Sequence, residues 1–277
     1  MKLKEVLAVV NNKGGVGKTT TVQSLAAAIT RKDKAARVLC IDLDPQRHLT
    51  LLLGHKDGDT TLESETIFTA LRQGGSLPVY DTNRERVYVV PGDMMMQEVD
   101  SDLVRMMNPK KALAKCFARP MTIHSTDAMP QNIVEAFDYV LIDCAPALSQ
   151  ATYNAMAVAT GLLVPVQMEA LAVNGLGNII VALKDVKEEL NPNLELRGLL
   201  PTMVDARPKI ARSFIDYLRR SYKFYVCQTM IRRSVKVNEA QTASQDIYNY
   251  CEQNNVAKDY DALVEELFNG NGNVNGK

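Results

Sequence analysis

The stretch VLAVVNNKGGVGKTT, residues 6–20, decides the fold, and TVQSLAAAIT, residues 21–30, continues it. The apolar run at 6–10 predicts a strand, and the spacing over 19–30 predicts a helix. Between them, glycines let backbone N–H groups converge on phosphate oxygens, because no Cβ blocks the approach. The following helix adds its dipole and unpaired N–H groups. This order of strand, loop and helix predicts a phosphate-binding loop.

Each residue type in the loop suits a nucleoside triphosphate. The Lys18 ammonium is expected to neutralise the β- and γ-phosphates, and the Thr19 hydroxyl is expected to bind Mg²⁺. The predicted nucleotide-binding residues are Gly14, Gly15, Val16, Gly17, Lys18, Thr19 and Thr20.

Further apolar runs, rich in Val, Leu and Ile, alternate with helical segments along the chain. The runs are 38–41, 87–90, 139–142, 162–166 and 199–200 with its flanks; the helical segments are 19–30, 175–190 and 210–222. Runs without polar alternation are typical of strands buried on both faces of a parallel sheet. The pattern predicts an α/β fold, a doubly wound and mostly parallel sheet with helices on both faces.

We interpret residues 1–268 as one domain and 269–277, rich in Gly and Asn, as a disordered tail. Residues 56–131 carry several Gly and Pro residues and are expected to form helices and loops attached to that domain. The run Met94-Met95-Met96 within them is expected to fill the core.

Composition excludes several classes of protein. The 277 residues hold 32 Lys or Arg and 32 Asp or Glu, so the protein is not basic throughout. Five Cys without a CxxC pair argue against a disulfide framework or zinc ribbon, and Cys40 and Cys144 are expected to be buried thiols. The amino terminus has too short an apolar run for a signal peptide, and no stretch reads as a membrane span. We therefore expect a cytoplasmic protein.

Six segments together resemble the ParA/MinD superfamily of P-loop ATPases with a deviant Walker A loop. They are KGGVGKTT at 13–20, IDLDPQ at 41–46, FDYVLIDCAP at 137–146, VPVQME at 164–169, PTMVDAR at 201–207 and IRRSVKVNEA at 231–240. The first is specific to the superfamily, and DLDPQ with the late segments favours the ParA branch. The resemblance implies ATP and Mg²⁺ as cofactors.

Two acidic positions are candidates for catalysis and metal binding. Asp143 ends an apolar strand, and a carboxylate at that edge of a parallel sheet faces the phosphate loop, so we expect it to hold Mg²⁺. The resemblance assigns Asp42 to positioning the attacking water, with Asp44 as the alternative. Arg47-His48 stands where relatives often have Gly-Asn, which affects the detail of this switch region.

The resemblance also implies a dimer and a base site. Lys13 would reach across a nucleotide-sandwiched homodimer to the partner's phosphates, joining Lys18 and Asp42 as the catalytic set. Contacts to adenine are expected near 231–235 and from Thr202, Met203 and Asp205.

A basic segment is hidden by the zero net charge. Residues 197–236 hold ten Lys or Arg and two acidic residues, a net charge of +8, whereas residues 237–277 carry −5. A basic block of this kind is an electrostatic footprint for nucleic acid. Relatives of the ParA type bind DNA without sequence preference through this part of the chain. The candidate DNA-binding residues are Arg207, Arg233 and Lys236, followed by Arg232.

The resulting expectation is a nucleoid-associated partition ATPase whose slow hydrolysis a ParB-like adaptor stimulates. The alternatives are an ATPase of the same family that positions a protein cluster, and a metabolic or redox ATPase on the same fold. Membrane targeting is disfavoured, because the helix expected at 256–268 carries acids on its polar face, where a membrane-surface helix carries Lys or Arg.

Overall fold

The computed structural model describes residues 3–55, 65–106, 108–168, 172–205, 208–222 and 225–269. The strands of these residues form one sheet in the order β5-β3-β4-β2-β6-β1-β7-β8. Neighbouring strands are parallel, except for the antiparallel pair β3 and β4. The strands are β1 (Glu5–Val9), β2 (Val38–Asp42), β3 (Pro78–Asp81), β4 (Val87–Val90), β5 (Thr122–His124), β6 (Tyr139–Asp143), β7 (Gly161–Gln167) and β8 (Glu195–Thr202).

Helices connect the strands and cover both faces of the sheet. They are α1 (Lys18–Lys32), α2 (His48–Leu52), α3 (Ile67–Gln73), α4 (Val99–Val104), α5 (Ala112–Phe117), α6 (Ile133–Ala136), α7 (Gln150–Val158), α8 (Ala172–Glu189), α9 (Pro208–Tyr222), α10 (Val235–Thr242), α11 (Ile247–Cys251) and α12 (Asn255–Val264). Two 3-10 turns, Met94–Gln97 and Pro109–Lys111, precede α4 and α5, and a π-helical segment, Glu265–Asn269, follows α12.

The apolar strands are explained by a core on each side of the sheet. In β1, Val6 and Ala8 belong to one core, which also contains residues of α3, α5 and α7. Leu7 and Val9 point the other way, into a core shared with α1 and α12. Because successive side chains alternate between faces and both faces are covered, every position of the strand is apolar or buried.

The predicted fold class is confirmed, with two differences. The strands β3 and β5 lie in the 56–131 region, where the sequence predicted helices and loops apart from the apolar run at 87–90. Met96 is buried as expected, but the prediction of core filler was wrong for Met94 and Met95, which are 63% and 41% exposed. Residues 56–64, 107 and 270–277, including nearly all of the expected tail, lie outside the described residues.

The sheet topology brings three loops to one edge. In the register of the parallel strands, Asp143 of β6 lies opposite Val9 of β1 and opposite Asp42 of β2. The carboxyl ends of these central strands therefore meet where the loop after β1 begins. Within the described part of the chain, no helix has the length and apolar character to span a membrane.

Candidate functional site

The glycine-rich loop joins β1 to α1 and leaves one side open. Gly15 and Gly17 have φ angles of 73° and 90°, the left-handed region that glycine tolerates best. A Cβ placed on Gly14 or Gly15 would meet no atom within 4 Å. Gly17 forms the N-cap of α1, and the backbone N–H groups of the first helical turn have no intrahelical partner. The loop thus presents backbone donors to open space, as an anion site requires.

Hydrogen bonds from neighbouring strands hold the other side of this loop. The side-chain amide of Asn11 donates from Nδ2 to the carbonyl of Pro165 in β7 at 2.7 Å, and the backbone N–H of Lys13 donates to Asn11 Oδ1 at 2.9 Å. From β8, the buried Thr202 hydroxyl donates to the Val16 carbonyl at 2.8 Å. The loop is therefore fixed before any ligand arrives. Thr202 therefore supports the loop from β8.

Lys18 is a nearly buried cation, 7% exposed, whose Nζ atom donates to the Lys13 carbonyl at 3.1 Å. Burial lowers the pKa of the Lys18 ammonium, while the neighbouring Asp143 carboxylate acts in the opposite direction. A phosphate group beside Lys18 would favour its charged form. Lys13 itself is half-buried at the edge of the loop.

Asp143 and Thr19 form the candidate metal site. The Thr19 hydroxyl donates to Asp143 Oδ2 at 2.7 Å, and Asp143 Oδ1 is buried without a hydrogen-bond partner among the described residues. Burial, and then the Asp42 carboxylate, raise the pKa of Asp143 well above its ordinary value. A bound cation would favour the ionised form of Asp143 and so lower its pKa. Hydroxyl and carboxylate oxygens are ligands that Mg²⁺ prefers, so the two residues fit this ion.

A cavity of about 740 Å³ opens over the loop. The sequence predicted part of its lining: Gly14, Gly15, Gly17, Lys18, Thr19, Thr20 and Met203. It missed others, among them Gln46, His48, Pro146, Gln241 and Ser244. Gln241 donates to the Thr20 hydroxyl at 2.8 Å across 221 residues of sequence, a contact that no local pattern signals.

A second cavity of about 340 Å³ adjoins the first and shares Gly17, Thr20, Met203 and Gln241 with it. Its other walls combine apolar and polar residues: Ile231, Val235, Val237, Val256 and Tyr260 with Thr202, Arg232, Arg233, Ser234 and Asn238. A cavity that pairs apolar walls with a few polar groups, beside a phosphate site, has the chemistry for a nucleobase. Two of the three predicted base contacts, Thr202 and Met203, line it. Asp205 lies outside both cavities, on a surface groove.

Asp42 and Asp44 are placed differently. Asp42 is fully buried, and its carboxylate accepts bonds from the Thr50 hydroxyl at 2.7 Å, the Thr50 amide at 2.9 Å and the Asp44 amide at 3.1 Å. Burial raises the pKa of Asp42 to about 6. Asp44 lines the larger cavity. The residue that the resemblance assigned to the water thus faces α2, and the alternative faces the cavity.

Acidic partners neutralise part of the basic segment. Arg197 forms a two-pronged ion pair with the buried Glu5, at 3.1 Å and 2.8 Å. Arg232 pairs in the same manner with the buried Asp259, whose Oδ2 also accepts the Arg232 backbone amide at 3.0 Å. The Arg197 pair thereby links β8 to β1, and the Arg232 pair links the 231–235 segment to α12. Because both cations are paired, the formal charge of +8 overstates the free positive charge of the basic segment.

The remaining DNA candidates are more accessible. Arg233 is exposed, and no carboxylate among the described residues lies within ion-pair distance of it. Lys236, at the start of α10, is exposed and pairs with Glu239 at 2.6 Å. Arg207 lies outside the described residues.

Comparisons with known proteins agree with this geometry. Residues 4–196 match a family described as an AAA domain. The chain is 35% identical over 261 residues to the chromosome-partitioning ATPase Soj of Thermus thermophilus, covering 94% of each chain. It is 31% identical over 264 residues to the chromosome partitioning protein ParA of Myxococcus xanthus, covering 95% of this chain and 87% of that protein. A cobyrinic acid a,c-diamide synthase of Mycobacterium smegmatis, solved with an ATP analog and magnesium, is 30% identical with a TM-score of 0.79, over 96% of this chain and 94% of that one.

Proposed function

Because the chain belongs to the ParA/Soj branch of the ParA/MinD superfamily of P-loop ATPases, we propose that it is an ATP-dependent DNA partition ATPase. The observation that carries the proposal is the set formed by the buried Lys18 and Asp143 with the half-buried Thr19, beside an open glycine loop. The cavities beside it have room for a phosphate chain and a base. ATP with Mg²⁺ is the ligand that fits, and the solved relative with an ATP analog and magnesium supports it.

Different residues would bind the phosphates, hold Mg²⁺ and place the attacking water. Loop amides and Lys18 bind the β- and γ-phosphates, and Thr19 with Asp143 would hold Mg²⁺, which neutralises phosphate charge when bound. Phosphoryl transfer needs little covalent chemistry from the protein, so placing the attacking water provides most of the remaining catalysis. For Asp42 to place this water, its carboxylate must leave Thr50. Asp44 reaches the cavity without such a change.

We assign Lys13 a role between two copies of the chain. A homodimer that sandwiches ATP brings phosphates of both sites close together, and a second lysine at each loop offsets their charge. Dimerisation then depends on the γ-phosphate and ends after hydrolysis. A ParB-like adaptor would accelerate that step.

DNA binding is assigned to exposed cations at the start of α10. Arg233 ranks first because it is exposed and carries no acidic partner among the described residues. Lys236 ranks second, and its pair with Glu239 is exposed and therefore weak. Arg232 ranks below both, since the buried Asp259 holds its guanidinium. Two such faces in one dimer would add avidity and make the protein nucleoid-associated in its ATP state.

The test is retention on non-specific DNA with ATP, with ADP and without nucleotide. We expect tight binding with ATP alone, and Lys18→Ala should abolish this difference. Arg233→Ala with Lys236→Ala should weaken DNA binding and reduce its dependence on salt by roughly one unit of slope for each lost phosphate contact. Because Arg233 also lines the smaller cavity, the ATP affinity of this variant is measured beside its DNA affinity, and it is expected to stay close to that of wild type. The matched control is Lys184→Ala, an exposed lysine on α8 that pairs with Glu188.

Equal retention in all three nucleotide states would contradict the partition function. Unchanged DNA affinity of the Arg233, Lys236 double variant would contradict only the assigned surface. The alternative of a protein-cluster cargo shares every residue of the nucleotide site, and it predicts ATP hydrolysis without DNA retention. The likeness to a diamide synthase makes amide formation a second activity to assay.

A further inference from the structure

The two cavities of the nucleotide site meet at a junction. The cavity over the glycine loop and the smaller cavity share four lining residues, Gly17, Thr20, Met203 and Gln241. Under the proposed function, the phosphates occupy the first cavity and the base occupies the second. The sugar joins these two parts of a nucleotide, so it must lie at the junction. Of the four shared residues, Thr20 brings a hydroxyl group to the junction and Gln241 brings an amide group.

The side-chain amide of the half-buried Gln241 is used on one side. Its Nε2 atom donates to the Thr20 hydroxyl at 2.8 Å. Within the described ranges, no protein group donates a hydrogen bond to its Oε1 atom. An amide oxygen can accept two hydrogen bonds. Gln241 therefore presents an unused acceptor where the sugar of a nucleotide would lie.

The same hydrogen bond orients Thr20. Because the Thr20 oxygen accepts from Gln241, the hydrogen of this hydroxyl is directed away from the amide and can be donated to another group. Thr20 is the third residue of α1, in the turn whose backbone N–H groups face the phosphate side of the cavity. The hydroxyl of Thr20 thus serves the phosphates, and the amide oxygen of Gln241 is left for the sugar.

Contacts at both ends of α10 hold Gln241 in place. Ser234 caps the start of the helix, and the side-chain amide of Asn254 donates to the Ser234 hydroxyl at 3.2 Å. Just beyond the other end, the side-chain amide of Asn83 donates to the Ser244 carbonyl at 3.1 Å. A side chain on a helix fixed in this way can discriminate between ligands, because the site is ordered before the ligand binds.

We propose that Gln241 selects ribonucleotides, its Oε1 atom accepting a hydrogen bond from a ribose hydroxyl. The inference rests on the proposed function, because a nucleotide in the two cavities places its sugar beside Gln241. A deoxynucleotide that lacks this hydroxyl leaves the amide oxygen without the bond, so it binds more weakly. Gln241 is half-buried, and water replaces part of the lost contact. The discrimination is therefore moderate.

The test compares ADP, 2′-deoxy-ADP and 3′-deoxy-ADP by calorimetry with Mg²⁺ on the full chain. Diphosphates avoid turnover and the proposed dimerisation that depends on the γ-phosphate. We expect wild type to bind ADP about fivefold more tightly than at least one of the deoxy forms, the ratio that one neutral hydrogen bond supplies. This comparison needs no variant, so it does not depend on the folding of one.

Three variants assign the ratio to Gln241. Gln241→Leu removes the amide; it should bind every diphosphate more weakly than wild type binds ADP, and it should bind the three with equal affinity. Gln241→Glu keeps an acceptor oxygen, so it should retain the sugar preference although its charge weakens binding of each diphosphate. The matched control is Gln245→Leu, the same change at an exposed position outside both cavities, which should keep the affinities and the ratio of wild type.

Equal affinities of wild type for the three diphosphates would overturn the sugar contact and leave the proposed function in place. A ratio that persists in Gln241→Leu would also overturn the contact, because another group would then select the sugar. A chain that binds none of the diphosphates would refute the nucleotide site of the proposed function together with this contact.

Discussion

The hydrogen bond between Thr19 and Asp143 offers the sharpest test of the metal site. Thr19→Val keeps the shape of the side chain and removes the hydroxyl that donates to Asp143 Oδ2 at 2.7 Å. The other oxygen, Oδ1, has no hydrogen-bond partner within the described ranges, so this donor is the one on which the buried carboxylate depends. A hydrogen bond to a charged group contributes about 1.5–3 kcal/mol. We expect the free energy of unfolding to fall by about 2 kcal/mol where Asp143 is ionised.

The size of this loss should depend on pH. Burial raises the pKa of Asp143, so the native state keeps its proton to a higher pH than the unfolded chain does. The stability contributed by Asp143 is therefore lost as pH rises through its native pKa. At low pH the carboxyl group is protonated and the bond is neutral, worth about 0.5–1.5 kcal/mol. Thr19→Val should therefore cost more stability at high pH, where Asp143 is ionised, than at low pH, where it is protonated, as urea unfolding would measure.

Thr202→Val is the matched control. Its hydroxyl is more deeply buried than that of Thr19 but donates to an uncharged group, the Val16 carbonyl, at 2.8 Å. Losing this neutral bond should cost about 1 kcal/mol at both pH values.

The effect of Mg²⁺ on thermal stability is a second measurement on the same variants. Mg²⁺ should raise the thermal stability of wild type and of Thr202→Val in the presence of ADP, and this increment should vanish in Thr19→Val. A Thr19→Val protein that loses the same stability at both pH values, or that keeps the full magnesium increment, would refute the assignment of Thr19 and Asp143.

Three further changes follow from the contacts of the site. Lys18→Ala should leave the fold intact, because burial already disfavours this charge, and calorimetry should show ATP affinity reduced at least about a hundredfold. Asp44→Asn should lower ATP turnover without changing the free energy of unfolding in urea. Asp42→Asn should lower ATP turnover and the free energy of unfolding, because an amide cannot accept all three bonds that Asp42 receives. Equal stability of the two variants would contradict this difference. Arg232→Ala should destabilise the chain by about 2–3 kcal/mol in urea unfolding, because it leaves Asp259 buried without its partner, and Arg232→Lys should recover part of the loss.

The parts of the fold that the sequence predicted are those specified locally. The run at 6–10, the glycines and the helix after them are adjacent in the chain, and the two cores require apolar residues at positions 6–9 of β1. The strands β3 and β5 escaped prediction because they have four and three residues, and because polar side chains such as Thr122 and His124 interrupt the apolar pattern. Their strand form comes from pairing at the edge of the sheet, which a local pattern does not encode.

The site divides along the same line. Lys18, Thr19 and Asp143 were predictable because a short motif or the end of a strand marks each of them. The contact from Gln241 to Thr20 spans 221 residues, so the sequence gives no local sign of it. The net charge of residues 197–236 overstates the free positive charge for a related reason. Arg232 lies in this segment, whereas its buried partner Asp259 lies outside it and is brought into contact only by the fold.

The buried charges at this edge of the sheet are themselves an argument for a ligand. Burial moves the pKa values of Lys18, Asp42 and Asp143 toward their neutral forms, so each group lowers the stability of the ligand-free chain when it is charged. A core selected for stability alone would replace them with apolar residues, which pack without this penalty. A triphosphate with Mg²⁺ supplies both missing partners at once, an anion for Lys18 and a cation for Asp143. Nucleotide and metal should therefore stabilise the fold together by more than the sum of their separate effects.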